Sequence, residues 1–144
     1  MDRVSKAKEV FEQGFSCSQA VLTAFTDELG LTEKQALKLG SCFGGGMCKG
    51  EVCGACTGAL MALGMKHGRC TFNDLDSQQK ANDLSVKFLE QFRKGNGSYI
   101  CNELLGCDMA TPEGEAYAKA HKLFTEICPK MVASAVRIAE QIIE

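Results

Sequence analysis

The chain has 144 residues, of which 24% are charged and 45% hydrophobic, and its net charge is -2. That size suits one domain able to bury its own core, and the composition excludes disorder. The near-neutral balance, with no basic face, gives no electrostatic basis for binding nucleic acid or an anionic membrane.

The first nine residues, Met1 to Glu9, are polar and charged, unlike a signal peptide. Val4, Ala7, Val10 and Phe11 recur at helical spacing and predict a first helix ending at Gly14. Ser16-Cys17-Ser18-Gln19 is a capping box that opens a second helix, expected to run through Ala20, Val21, Ala24 and Phe25 to Leu29 before Gly30. Thr32 to Gln35 forms another box, starting a short helix that stops near Gly40, and Gly44-Gly45-Gly46 reads as a loop. A central helix is predicted over residues 53–67. Its Gly54, Gly58 and Ala62 recur every four residues, as do Ala55 and Ala59. Each interior glycine costs a helix about 1 kcal/mol relative to alanine, so close approach of another helix, or of a second copy in a homodimer, is expected to offset it. The apolar stretch from Ala59 to Met65 is too short to span a bilayer.

A further helix after Asp74 or Asp76 should turn Ala81, Leu84, Phe88, Leu89 and Phe92 inward and end at Gly95. A single helical turn from Cys101 to Leu105 is stopped by Gly106. Thr111-Pro112 caps the next helix, and the last begins at Cys128-Pro129, with Cys128 as its expected N-cap. No strand alternation is convincing. Residues 1–144 therefore read as one all-α domain, a bundle of about six to seven helices around a buried central Gly/Ala-rich helix.

The nine cysteines carry the functional signal, and five of them lie between Cys42 and Cys70. In a reducing, cytoplasmic setting, which the polar N-terminus and the odd cysteine count favour, such a set points to metal binding or redox chemistry. Cys53-Gly54-Ala55-Cys56 is a CxxC motif at a helix start, where the macrodipole favours a thiolate, but no strand precedes it as a thioredoxin fold requires. Cys48, Cys53 and Cys56 also match the spacing of plant-type [2Fe–2S] ligands, without the β-rich surroundings of that fold. Position within the elements is more telling. Cys17, Cys53, Cys101 and Cys128 each sit at a predicted helix start, where free N–H groups and the positive helix end favour a thiolate or an anionic metal–sulfur cluster. His67 reads as a cation at a helix C-terminus, His121 as solvated, and Met47, Met61 and Met65 as packing residues. The run from Gly44 to Gly50 lacks the G-K-[ST] chemistry of a phosphate loop.

Cys53-Gly54-Ala55-Cys56-Thr57-Gly58 resembles the central signature of the C_GCAxxG_C_C family of redox-active proteins. Gly14 to Val21, Phe43 to Met47, Ala59 to Gly64, Cys101 to Cys107 and Cys128-Pro129 resemble its other motifs, so the likeness spans nearly the whole chain. It implies a small helical protein whose four signature cysteines fall on Cys17, Cys53, Cys101 and Cys128, with Cys107 as a substitute for Cys101. Cys42, Cys48, Cys56, Cys70 and Cys107 lie outside that signature.

Three functions are consistent with this pattern. In the leading one the four cysteines hold an iron–sulfur cluster or other metal ion, and electrons pass to a redox partner. In the second, a metal-free thiol–disulfide oxidoreductase attacks through Cys53 and resolves through Cys56 or Cys101. In the third, a structural zinc ion with four cysteine ligands stabilises a non-catalytic module.

Overall fold

The computed structural model describes residues 1–144 and is 72% helical, with no strands. Ten α-helices follow in order: α1 (Arg3–Glu12), α2 (Cys17–Thr23), α3 (Thr26–Leu29), α4 (Glu33–Leu39), α5 (Gly54–His67), α6 (Leu75–Asn96), α7 (Cys101–Leu105), α8 (Pro112–Ala120), α9 (Leu123–Glu126) and α10 (Cys128–Ile142). The chain is all-α, as its periodicity predicts. No helix is long and apolar enough to cross a membrane.

The helix count exceeds the expected six to seven, partly because a predicted helix is broken. The segment from Ser16 to Leu29 divides into α2 and α3. Ala24 and Phe25 donate to Val21 and Leu22, three residues back, tightening the last turn of α2. The Thr23 and Thr26 hydroxyls bond back to the Ala20 and Thr23 carbonyls, a pattern that bends helices. Phe25 then leaves helical geometry at φ -111°, ψ 7° and points into the core, where it is fully buried. The four-residue α9 is a second addition: Lys122, in the left-handed region, separates it from α8. Helix α6 runs past the expected stop at Gly95 to Asn96, whose amide bonds to Ser134 on α10 at 2.9 Å.

One core of 22 buried residues draws on α1, α2, α4, α5, α6 and α10. Both predicted capping boxes are present, at Ser16/Gln19 and Thr32/Gln35. The Ser18 hydroxyl donates to the Gly40 carbonyl at 2.6 Å and the Gln19 amide to Leu37 at 2.9 Å, which fixes the start of α2 against the end of α4. Glu28 accepts from Arg3 and Lys66, joining α1, α3 and α5 at the surface. On α6, Phe88 and Phe92 are fully buried, while Ala81, Leu84 and Leu89 are only partly covered.

Helix α5 buries Gly54, Ala55, Cys56, Gly58, Ala59, Ala62 and Leu63, and packs against α2, α6 and α10. Its end is exposed at Gly64, Met65 and Lys66. A β-carbon added at Gly58 would lie 2.7 Å from the Ser18 carbonyl oxygen and 3.2 Å from Val21 Cβ. The glycine therefore serves contact with α2 of the same chain. At Gly64 nothing lies within 4 Å. Gly58→Ala is expected to destabilise the fold by about 1–3 kcal/mol through overpacking. Gly64→Ala should stabilise it by about 0.5–1 kcal/mol, because alanine loses less backbone entropy. Urea unfolding of the two variants measures both, and equal effects would contradict this account of the α2–α5 contact.

Candidate cysteine-lined redox site

Two pieces of non-helical backbone bring the helix starts together. Val52 and Ile100 form an isolated antiparallel bridge. Around it the Cys53 N–H donates to the Tyr99 carbonyl at 2.7 Å, and the Cys101 N–H donates to the Glu51 carbonyl at 2.6 Å. The starts of α5 and α7 are thus tied side by side. No alternation in the sequence signals this pairing, because it involves one residue from each segment.

The second piece is the glycine loop. Gly45, Gly46, Met47 and Cys48 all adopt left-handed geometry, with φ between 58° and 64°, and the turn closes where the Glu51 N–H donates to the Gly46 carbonyl at 3.1 Å. For Met47 and Cys48 this geometry costs about 1–2 kcal/mol per residue. Gly50, also left-handed, lies against the Asn102 side chain, which holds the Met109 N–H at 2.7 Å.

The starts of α2, α5, α7 and α10 surround one cavity of about 170 Å³, lined by Cys17, Cys53, Cys101 and Cys128 together with Gly44, Gly45 and apolar side chains that include Phe11, Leu104, Met109 and Phe124. All four cysteines singled out by helix position meet there. Cys17, Cys101 and Cys128 are first residues of α2, α7 and α10, and Cys53 is the N-cap of α5. Cys128 was expected as an N-cap. It lies one place inside the helix, with Ile127 capping and Pro129 in the first turn. Gly54 is what lets Cys17 reach this point, since a β-carbon there would lie 2.5 Å from Cys17 Sγ and 2.9 Å from the Phe43 carbonyl oxygen.

Three of the sulfurs are neighbours. Cys53 has the Cys17 thiol on one side and the Cys56 thiol on the other. Cys17 is held well above its ordinary value, first by its hydrogen bond with Cys53 and then by burial; the Gly45 and Ser18 amides oppose the shift. For Cys53 the Cys17 contact lowers the value, but Cys56 and burial outweigh it and the thiol is raised. Burial first, then the Cys17 and Cys107 charges, pushes Cys101 up to about 12. Burial, Cys17 and Cys101 do the same to Cys128, also to about 12. These thiols stay protonated at neutral pH unless a cation takes the place of their protons.

Cys56 is fully buried in the core and does not line the cavity. Cys42, Cys48 and Cys70 are exposed, and the Cys48 thiol faces the Gly44 carbonyl at 3.9 Å. Cys48 is outside the cavity lining, and Cys48, Cys53 and Cys56 are not grouped closely enough to hold one metal ion. Cys107 is half-buried and outside the lining. His67 bonds to the Ile143 carbonyl at the end of α10, so it serves another helix than its own. His121 is exposed and stacks on Tyr117 with ring centroids 3.9 Å apart.

No three His, Cys, Asp or Glu side chains are grouped closely enough to hold a single metal ion. The lining holds four thiols and no carboxylate or imidazole, a soft donor set of the kind that takes iron–sulfur clusters, zinc or copper(I). Its volume is comparable to that of an apolar cavity of about 150 Å³ that admits benzene.

The raised thiols make stability fall at alkaline pH. The unfolded chain releases these protons near pH 8.5–9, whereas folded Cys101 and Cys128 hold theirs up to about 12. The folded state then binds more protons than the unfolded one, so stability is full below that range and declines as pH rises through it. Denaturant midpoints of the metal-free protein should drop between pH 8 and 10. Cys101→Ala should flatten the slope, and an unchanged slope would contradict the assignment.

No curated protein and no solved structure matches the chain. The sequence pattern of one family does match, over residues 15–142, a span that contains all four cavity cysteines. The chain belongs to the family described as "Putative redox-active protein (C_GCAxxG_C_C)".

Proposed function

We propose that Cys17, Cys53, Cys101 and Cys128 hold an iron–sulfur cluster, and that the protein transfers electrons through it to a redox partner in the cytoplasm. The observation that carries this reading is the convergence of four thiols from four helix starts on one apolar cavity of about 170 Å³. Such a cluster, when bound, supplies one-electron transfer at a potential set by hydrogen bonds to sulfur and by water access.

The chain's own residues provide the surroundings. Amides of Gly45 and Ser18 reach Cys17, and the amide of Ala55 reaches Cys53, so each sulfur meets a donor that favours its deprotonated form. Phe11, Leu104, Leu105, Met109, Phe124 and Met131 give the cavity an apolar wall. Loading requires loss of the thiol protons, so it should be favoured by rising pH until the fold itself weakens.

A structural zinc ion would use the same thiols, but it calls for ligands gathered about 2.3 Å from one point, and no such grouping is present. A metal-free thiol enzyme that turns over on a substrate needs an open thiol of lowered pKa, whereas Cys53 is buried and raised and Cys56 is fully buried, a placement that suits only slow oxidation by a small molecule.

Protein purified without oxygen should be coloured, with visible charge-transfer absorption and with iron and acid-labile sulfide in equal amounts. Cys17→Ser and Cys128→Ser should each lower bound iron several-fold, although the two residues lie near opposite ends of the chain. Cys107→Ser should retain iron and Cys101→Ser should lose it. Colourless protein containing zinc, or the reverse pattern at positions 101 and 107, would contradict the proposal.

A further inference from the structure

Cys53 has thiol neighbours on two sides. Cys17 meets it within the cavity, while Cys56 meets it from behind, in the hydrophobic core. Cys56 has no part in the four-thiol lining and is fully buried. The pair sits on a single helical turn: the Cys56 N–H donates to the Cys53 carbonyl at 2.9 Å, and the Thr57 N–H donates to it at 3.1 Å. Such a turn brings the two α-carbons within about 7 Å, the span that a disulfide requires. The turn is rigid, so closing the bond needs rotation of two side chains and no movement of one helix past another.

We propose that Cys56 is a modification partner for Cys53, and that a Cys53–Cys56 disulfide withdraws Cys53 from the cavity when the four-thiol site is empty and an oxidant is present. A peroxide is the chemical class that fits, since a small, neutral molecule can enter an apolar cavity that reaches the surface beside the half-buried Cys17 and Cys128. The Cys53 thiol attacks one peroxide oxygen, the O–O bond breaks, and the thiol proton passes to the departing oxygen, which leaves as water with a sulfenic acid on Cys53. Burial and the raised thiol make this a slow, stoichiometric oxidation. The Cys56 sulfur then attacks the Cys53 sulfur, displacing the hydroxyl as a second water. Two thiols have lost two electrons and two protons, and one peroxide has become two waters. A dithiol reductant reverses the change and returns Cys53 to the cavity.

The bond stands on the placement of the two thiols alone, whereas its role as an off-switch rests on the cluster reading above. The two can therefore fail separately.

The test treats the metal-free full-length protein with hydrogen peroxide, blocks the remaining thiols with an alkylating agent, and maps disulfides by mass spectrometry of peptides. The treated chain is then offered iron and sulfide, before and after reduction with dithiothreitol. The expected result is a Cys53–Cys56 linkage, with reconstitution several-fold lower until reduction restores it. Cys56→Ala, which keeps a small apolar side chain in the core, should show no such linkage. In its reduced form it should take up iron as the parent does. A Cys17–Cys53 linkage, or Cys56 recovered alkylated while Cys53 is oxidised, would overturn the proposal. Formation of the Cys53–Cys56 bond in a protein that never takes up iron would overturn the switch and the cluster reading but leave the modification standing. A linkage that forms without lowering reconstitution would overturn the switch alone.

Discussion

The close approach of α2 to α5 is the contact on which the site depends. Gly54 and Gly58 remove the side chains that would otherwise separate the helices, and Cys17 and Ser18 occupy the space. At Gly54 the vacancy is filled by the Cys17 sulfur, which is thereby set beside Cys53. The entropic cost of Gly58 in the helix interior is thus offset by contact with α2, and Gly54 in the first turn of α5 leaves room that gathers two of the four thiols. Structure and chemistry share one interface, so a methyl group at position 54 would disturb both.

Around that contact the site is completed by backbone more than by side chains. The Val52–Ile100 bridge ties Cys53 to Cys101. The left-handed run from Gly45 to Cys48 brings an amide to the Cys17 sulfur. In the thiol state the arrangement works against ionisation, because burial raises all four cavity cysteines. The positive helix starts and the apolar wall around the cavity are poorly used by neutral thiols. They suit sulfur that carries negative charge shared with a bound cation. This mismatch between surroundings and occupant state is the ground for proposing a metal–sulfur guest.

Much of this was legible in the sequence. Capping boxes at Ser16 and Thr32, the Pro112 start and the glycine stops marked helix limits, and the helix-start positions of Cys17, Cys53, Cys101 and Cys128 selected the four residues that line one cavity. The dense cluster from Cys42 to Cys70 contributes only Cys53 to that lining. What stayed hidden was tertiary or too local to be periodic. The break at Phe25 depends on threonine hydroxyls bonding back to the helix, and the Val52–Ile100 pairing on single residues 48 positions apart. The left-handed geometry of Met47 and Cys48 runs against their own preferences and is imposed by the surrounding loop. The placement of Cys53 between Cys17 and Cys56 likewise needed three dimensions, because spacing alone joins Cys56 to Cys53 but not to Cys17.

The central claim is that one guest is held jointly by sulfurs from four helix starts. Anomalous diffraction at the iron absorption edge, from crystals grown without oxygen, tests it most directly. The account predicts one compact iron peak inside the cavity, within bonding distance of the sulfurs of Cys17, Cys53, Cys101 and Cys128. Iron located instead beside Cys42, Cys48 or Cys70, or four free thiols around a cavity without iron, would contradict it.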